Sequence, residues 1–514
     1  MVIKILLLVV FFAGMVAVGI SARRHAVSVS GFVLGGRSVG PWLTAFAYGT
    51  SYFSAVVFVG YAGQFGWKYG LASTWIGLGN AAIGSLLAWV MLGRRTRIMT
   101  QHLGSSTMPD FFEKRFDSKP LKIVASVIIF IFLIPYTASI YNGLSRLFEM
   151  AFNIPYAVCV VVMAAFTAVY VILGGYMATA ISDFIQGIIM LFGIVVVVAA
   201  VLSGQGGFMN AVYELAQLPS DAAPTLGQPG AFTAFFGPDP LNLLGVVILT
   251  SLGTWGLPQM IQKFYAIRNE KAVRTGTVIS TVFAVIVSGG CYFLGGFSRL
   301  FDDPAIYGAD GAVVYDSIIP FMLSKLPDIL IGIVVVLVLS ASMSTLSSLV
   351  LTSSSTLTLD LIKGNLWKNM REESQIRTMR VLIAVFVAVS VLLAINPPDF
   401  IAQLMGISWG ALAGAFLAPF LYGIYWKRVT RAAVWASFAC GVGLTVGNLF
   451  FHFIDSAINA GAAAMVLGLV VVPVVSLITP RQPDKRLQEI FSCYEEKTVL
   501  HKKMVVGTEK DNAE

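Results

Sequence analysis

The sequence predicts an all-α polytopic membrane protein with about thirteen transmembrane helices. Of its 514 residues 57% are hydrophobic and only 12% are charged, against roughly 25% charged in an ordinary soluble domain. Mean hydropathy is +0.82. Apolar runs long enough to cross a hydrocarbon core of about 30 Å, which takes roughly 20 helical residues, recur along the whole chain with short polar segments between them.

The spans are predicted near 3–22, 41–65, 70–93, 121–148, 155–173, 178–203, 241–262, 274–298, 327–358, 378–396, 399–425, 431–453 and 459–479. The first is followed by Arg23 and Arg24 without a small-residue cleavage site, so it reads as a retained helix and not a signal peptide. Sorting Lys and Arg by alternating side, amino terminus outside, leaves only Lys4, Lys68, Arg146, Arg299 and Lys325 of the 34 on the outside. The inside set takes in Arg37, the group Arg94 to Lys122, and Lys263, counted as the start of a basic loop running to Arg274. The long segment 203–240 has no Lys or Arg. This asymmetry predicts an external amino terminus and a cytoplasmic carboxyl terminus.

The net charge of +8 is then a matter of topology. Its basic residues flank hydrophobic spans without aromatic interleaving, which argues against nucleic acid as a partner. Cys159, Cys291 and Cys440 lie in apolar runs and Cys493 in the tail, with neither disulfide nor zinc spacing. His25, His102, His452 and His501 are scattered, none with metal spacing or a paired carboxylate, and no phosphate-binding glycine loop occurs. The chain therefore does not read as an enzyme or an ATP-driven pump.

Two polar patches interrupt the apolar pattern. The second span carries Gly49, Thr50, Ser51 and Ser54 near its centre, then Gly60, Gly63 and Gly66. Such a patch is either a close-packing surface or a broken helix whose open carbonyls face a cation, an arrangement tolerated only inside a protein-lined cavity. In the ninth span, twelve of the nineteen residues from Ser340 to Thr358 carry hydroxyls. Ala341, Ser344 and Thr345 are spaced i, i+3 and i+4, so both hydroxyls lie beside the Ala341 carbonyl. They either bond that carbonyl back into their own helix or join it as hard oxygen ligands for an alkali cation. At about 1.5 Å per residue, Ser344 lies roughly 22 Å from an outer end at Ile329 and Thr50 roughly 14 Å from an inner end at Pro41. Both fall in the inner half of the core, where one ion could meet both patches. Asp183 is the clearest ionisable residue inside a span, read either as functional or as a helix N-terminal carboxylate favoured by the macrodipole.

Seven segments in register resemble the sodium:solute symporter family: LGGRSVGPW at 34–42, FGWKYGLA at 65–72, MPDFFEKRF at 108–116, LFEMAFNIPY at 147–156, YVILGGYMATAISDFIQG at 170–187, GLPQMIQKFYA at 256–266 and LYGIYWKRVTRAA at 421–433. The resemblance is to the bacterial proline and pantothenate branches. It implies a five-plus-five inverted-repeat core like that of the leucine-transporter group, at 41–426, with repeats 41–203 and 241–426. Residues 1–40 would form a peripheral helix and link, 427–479 two peripheral helices, and 480–514 a cytoplasmic tail.

Matched residue by residue, the resemblance implies a sodium site of the carbonyls of Thr50, Phe53 and Ala341 with the hydroxyls of Ser344 and Thr345. Asp183 matches a family aspartate near the cytoplasmic sodium exit, and Arg37 an arginine at the inner end of the first core helix. Ser54, Tyr136, Trp255 and Gln259 fall on spans around the central cavity and are pocket candidates, although Trp and Tyr also serve as interface anchors. Asp239, Asp302, Asp303 and Asp310 flank outer ends and read as solvated loop charges.

Two departures bear on the solute. The proline carriers have an aspartate where this chain has Tyr52, and the sugar carriers a Glu-Gln pair where it has Val56 and Val57. The expectation is a sodium-coupled symporter in a plasma membrane, bacterial and inner, importing an amino acid, a monocarboxylate or a pantothenate-like acid by alternating access. The alternative is a membrane-embedded sensor that binds solute without moving it, and a third reading is a passive channel.

Overall fold

The computed structural model describes residues 2–22, 26–222, 225–396 and 401–500. Arg23, Arg24, His25, His501 and the predicted start of a span at 399 lie outside the described residues. Among the described residues the chain is helical, with two isolated β-bridges, and 11 helices are long and apolar enough to cross a membrane. Side chains such as Val10, Phe192, Leu392 and Phe451 are exposed on these helices. They form the apolar surface that a bilayer, and not water, would cover.

Nine of the long helices match expected spans one for one. The other two, Val56–His102 and Tyr156–Gly204, have 47 and 49 residues, or about 70 Å at 1.5 Å per residue. Each contains a break. Gly70 (φ 59°, ψ −139°) interrupts the first, and the helix Glu270–Gly295 packs against the arms on both sides of it. Gly175 (φ 55°, ψ −148°) interrupts the second. A Cβ there would stand 2.9 Å from the Phe32 carbonyl and ring, so both the backbone angle and the space require glycine.

The helix Asp328–Thr356 is the axis of the molecule. It packs against Tyr156–Gly204, Lys119–Phe152 and Glu372–Ile395 and is buried without interruption from Leu337 to Thr356. No face of it is polar toward solvent, so most of its hydroxyls bond their own helix: Ser342 to the Val338 carbonyl at 2.7 Å, Ser347 to Ser344 at 2.8 Å, and Ser354 to Val350 at 2.7 Å. Small side chains that satisfy themselves let neighbouring backbones approach. The first helix, Val2–Ala22, lies against this axis and is pinned by an ion pair between Lys4 and Asp328 at 2.9 Å. At the other end of the axis, the tail helix Asp484–Leu500 docks on Arg94–His102, where the Arg95 guanidinium stacks 4.7 Å from the Tyr494 ring.

Candidate functional site

The second predicted span is two pieces. Pro41–Tyr52 stops where Phe53 leaves helical geometry (φ −101°, ψ 98°), and a π-helical turn, Val56–Tyr61, follows Ser54. A helix end leaves its last carbonyls without backbone donors and carries about half a negative charge. Here the Thr50 carbonyl is met from the central axis: Ser344 Oγ and Thr345 Oγ1 each donate to it at 3.0 Å. The same hydroxyls reach the Ala341 carbonyl at 2.9 and 3.1 Å. Four oxygens, from residues at most 2% exposed, therefore share one point. Each hydroxyl has one proton and cannot serve both carbonyls at once. Such an oxygen-only, acceptor-rich cluster is chemically suited to a hard cation. Of the five residues expected to form a sodium site, the structure brings together Thr50, Ala341, Ser344 and Thr345. Phe53 stands on the adjoining unwound segment, its ring stacked on Tyr52 at 4.3 Å.

One helical turn beyond Ser344, Ser348 Oγ pairs with Ser51 Oγ at 2.7 Å and accepts from Lys263 Nζ at 2.9 Å. That ammonium lies 3.8 Å from Asp183 Oδ2, with the two side chains 2% and 0% exposed. Lys263 is therefore not part of a basic loop, and the count that placed it among the inside charges is corrected. Its helix, Pro258–Ala266, is buried throughout, and a buried cation persists there because Asp183 faces it. Among the described residues, neither Asp183 oxygen receives a hydrogen bond.

The helix carrying Lys263 is also broken. Pro240–Gly253 ends at Thr254, and Pro258–Ala266 begins after Leu257, which is extended (φ −78°, ψ 123°). Pro258 supplies the cause: it lacks an N–H and disfavours the helical region for the residue before it. The π-helical stretch Asn80–Leu87 supports this break, its Ile83 carbonyl accepting from Trp255 Nε1 and its Gly84 carbonyl from Thr254 Oγ1, both at 3.0 Å. Trp255, a pocket candidate, thus has its indole N–H committed to holding the break.

Ser54 and Tyr136 lie close together beside Trp409, although no well-formed hydrogen bond joins the Tyr136 hydroxyl to either. Trp409, which the sequence did not single out, stands 5.8 Å from Tyr136 and 5.9 Å from Tyr52 between ring centroids. It also packs on Gly253, where a Cβ would meet its ring at 2.5 Å. It therefore touches both broken helices. Gln259, in the first turn after the second break, is fully buried, and both its amide atoms lack partners among the described residues.

Above this region, on the side of the 203–240 segment, a cavity of about 710 Å³ is lined by Gln64, Lys68, Asp239, Arg299 and Asp455 among others. Below it, Thr352, Ser355, Gln262 and Thr107 line a cleft of only about 10 Å³. Lys122 closes that end, 2.9 Å from both Asp110 and Glu113 and 3.5 Å from Asp360, while Thr107 donates to Asp360 at 2.6 Å. Burial pushes the Asp110 carboxyl up, but Lys122 and Lys114 outweigh it and hold it below its ordinary range. Arg37 ties the inner end of the first broken helix to this side, donating to the Ser105 carbonyl and, at 3.3 Å, to the Tyr265 carbonyl.

Two interrupted helices that both pack on Trp409, the first of them meeting the central axis at a buried oxygen cluster, are in an all-helical membrane protein the features of a secondary carrier. Comparison with known proteins makes the class specific. A sequence profile of the sodium:solute symporter family matches residues 32–441, and the chain belongs to that family. It is 28% identical over 496 residues to the osmoregulated proline transporter of Bacillus subtilis, covering 95% of this chain and 96% of that one. It is 29% identical over 447 residues to the sodium/proline symporter of Escherichia coli, covering 85% and 86%. The fold matches that of a sodium-coupled sialic acid symporter in a substrate-bound outward-open state, with a TM-score of 0.76 over 93% of this chain and 98% of that one, at 17% identity. The protein is thus a sodium-coupled solute transporter of the plasma membrane and not an enzyme.

Proposed function

We propose that the chain imports a small organic solute together with sodium by alternating access, the ion held by the carbonyls of Thr50, Phe53 and Ala341 and the hydroxyls of Ser344 and Thr345. The observation that carries this reading is the convergence of Ser344 and Thr345 on the Thr50 carbonyl at 3.0 Å. Sodium entering from the side of the 710 Å³ cavity ties the first broken helix to the central axis and so organises the neighbouring pocket. Ser54, Tyr136, Trp255 and Gln259 belong to that pocket, with Trp409 added. Closure of the cavity and opening of the Lys122 side follow, and sodium leaves past Asp183.

The two breaks, at Phe53 and at Thr254 to Leu257, fall in the first helix of each of the proposed repeats 41–203 and 241–426, which supports a five-plus-five inverted repeat. Counting Gly70 and Gly175 as reversals turns the 11 long helices into thirteen spans. An odd count puts the termini on opposite sides, and the Lys and Arg asymmetry supports an external amino terminus and a cytoplasmic carboxyl terminus. The solute is an amino acid, a monocarboxylate or a pantothenate-like acid. The relatives named for proline favour an amino acid, while Tyr52, whose hydroxyl donates to the Thr250 carbonyl at 2.5 Å, replaces the aspartate of proline carriers.

One charge moving through about 100 mV is worth about 2.3 kcal/mol, and a tenfold sodium gradient adds about 1.4 kcal/mol. Together they concentrate a neutral solute by roughly several hundredfold. The test is an uptake panel of these solute classes in proteoliposomes, with and without a sodium gradient, on the native chain and on Ser344→Ala/Thr345→Ala. The variant is expected to need at least about tenfold more sodium for half-maximal uptake, equivalent to about 1.4 kcal/mol, with normal membrane insertion. Unchanged sodium dependence would remove the site assignment. Solute binding without accumulation would identify a sensor.

A further inference from the structure

A file of polar groups leads from the oxygen cluster to the buried ion pair. Ser344 and Ser348 are one turn apart on the central axis, Ser348 Oγ meets Ser51 Oγ at 2.7 Å, and Lys263 Nζ donates to Ser348 at 2.9 Å. Nothing in the sodium route described above uses the Lys263 ammonium. We propose that Lys263 is a tethered cation that occupies Asp183 when sodium is absent and yields that carboxylate to sodium as the ion leaves. The proposal rests on the sodium route proposed above.

Three observations carry it. Asp183 is fully buried, and Lys263 is the cation facing it among the described residues. A buried carboxylate left without a counter-charge is strongly disfavoured, so sodium can depart through this point only if something replaces it. The separation of 3.8 Å is longer than a formed N–H···O bond of about 2.7 to 3.2 Å. The pair is therefore in electrostatic contact without being locked. Lys263 also has a second place to stand. Its ammonium is already hydrogen-bonded to Ser348 and lies 5.3 Å from the centroid of the Tyr176 ring, within range of a cation–π contact. A point charge on a flexible four-carbon stem can give up the carboxylate while keeping those partners. The empty carrier then returns with a neutral pair at its centre, a step that sodium-and-solute exchange does not require.

Equilibrium binding of radioactive sodium to the purified full chain gives the first test. Lys263→Gln, which frees Asp183 of its competitor, is expected to lower the sodium Kd three- to tenfold. Asp183→Asn, which leaves the lysine unopposed, should raise it, and the Asp183→Asn/Lys263→Gln double variant should lie within about twofold of native. Lys263→Arg, which keeps the charge, should also stay within twofold. In proteoliposomes supplied with the solute that the uptake panel identifies, Lys263→Gln should slow net sodium-driven uptake at least fivefold while solute exchange across sodium-loaded vesicles stays within twofold.

A native or weakened Kd in Lys263→Gln, or an equal fall of net uptake and exchange, overturns the proposal. Should Lys263→Gln fail to insert, the raised Kd expected for Asp183→Asn and its return to within about twofold of native in the double variant decide, and equal Kd values in those two would overturn it. Ser344→Ala/Thr345→Ala separates the two levels. An unchanged Kd there defeats the cluster as the sodium site, whereas weakened binding there beside a native Kd in Lys263→Gln defeats the tethered cation alone.

Discussion

Ser342, Ser347 and Ser354 return their protons to their own helix, whereas Ser344 and Thr345 also reach the carbonyl of Thr50 on another one. If one ion sits between them, the two hydroxyls act as a unit, and their deletions will not add. Ser344→Ala and Thr345→Ala, measured singly and together, should show a coupling of at least about 0.5 kcal/mol in the free energy of sodium binding. Strict additivity would mean that they serve separate purposes. Gln259 supports a second prediction. A buried amide without partners costs roughly 1–3 kcal/mol, so Gln259→Leu should raise the melting temperature of the solute-free carrier while raising the solute KM. A variant that is both less stable and unaltered in KM would show that the amide has a structural partner. Ser344 and Thr345 were legible in the sequence because their spacing from Ala341 fixes a shared face. Lys263 was not, because a charge at the edge of an apolar run looks like a loop charge until its partner, 80 residues earlier at Asp183, is brought beside it. Trp409 offered no signal, being one aromatic in a run of small and apolar residues.

At the scale of helices, apolar length was legible and interruptions were not. Nine spans were placed, with ends up to eight residues from the observed ones, because each is an apolar stretch at least long enough to cross a bilayer. The break at Phe53 was open to two readings, since glycine and hydroxyl residues serve close packing and unwinding alike. The break before Pro258 went unread as a break, although Gly256 and Pro258 mark it. The break at Gly175 gives an experiment. Gly175→Ala forces a positive φ on alanine and a 2.9 Å contact with Phe32, an effect of at least 1–2 kcal/mol. It should lower the melting temperature by several degrees. Gly14→Ala, in a helix with nothing within 4 Å of the new methyl, should be neutral or slightly stabilising. Similar melting temperatures for the two variants would mean that the chain does not depend on the bend at Gly175.

For the molecule as a whole, an open cavity of about 710 Å³ on one side faces a side closed by Lys122 and its three carboxylates. Breaking one partner of a buried ion network typically costs 3–5 kcal/mol, which is ample to move a two-state equilibrium. Lys122→Ala should therefore favour the state open on that side. A cysteine placed at Ser355, which lines the narrow cleft, should react with a membrane-impermeant thiol reagent at least several-fold faster in that background when the reagent is on the carboxyl-terminal side. Sodium should slow it again. Equal rates with and without Lys122 would show that the network does not hold this side shut.

The ion pair between Lys4 and Asp328 has a consequence in time. Ribosomes extend a chain by roughly 5–20 residues per second, so the aspartate is made on the order of half a minute after the lysine it secures. The first helix enters the bilayer with an ammonium whose partner does not yet exist, and it acquires its seat only when the ninth span arrives. Assembly around the axis is therefore a late event, and a ribosome-stalled chain that ends before residue 328 should still present its first helix to chemical crosslinking with lipid.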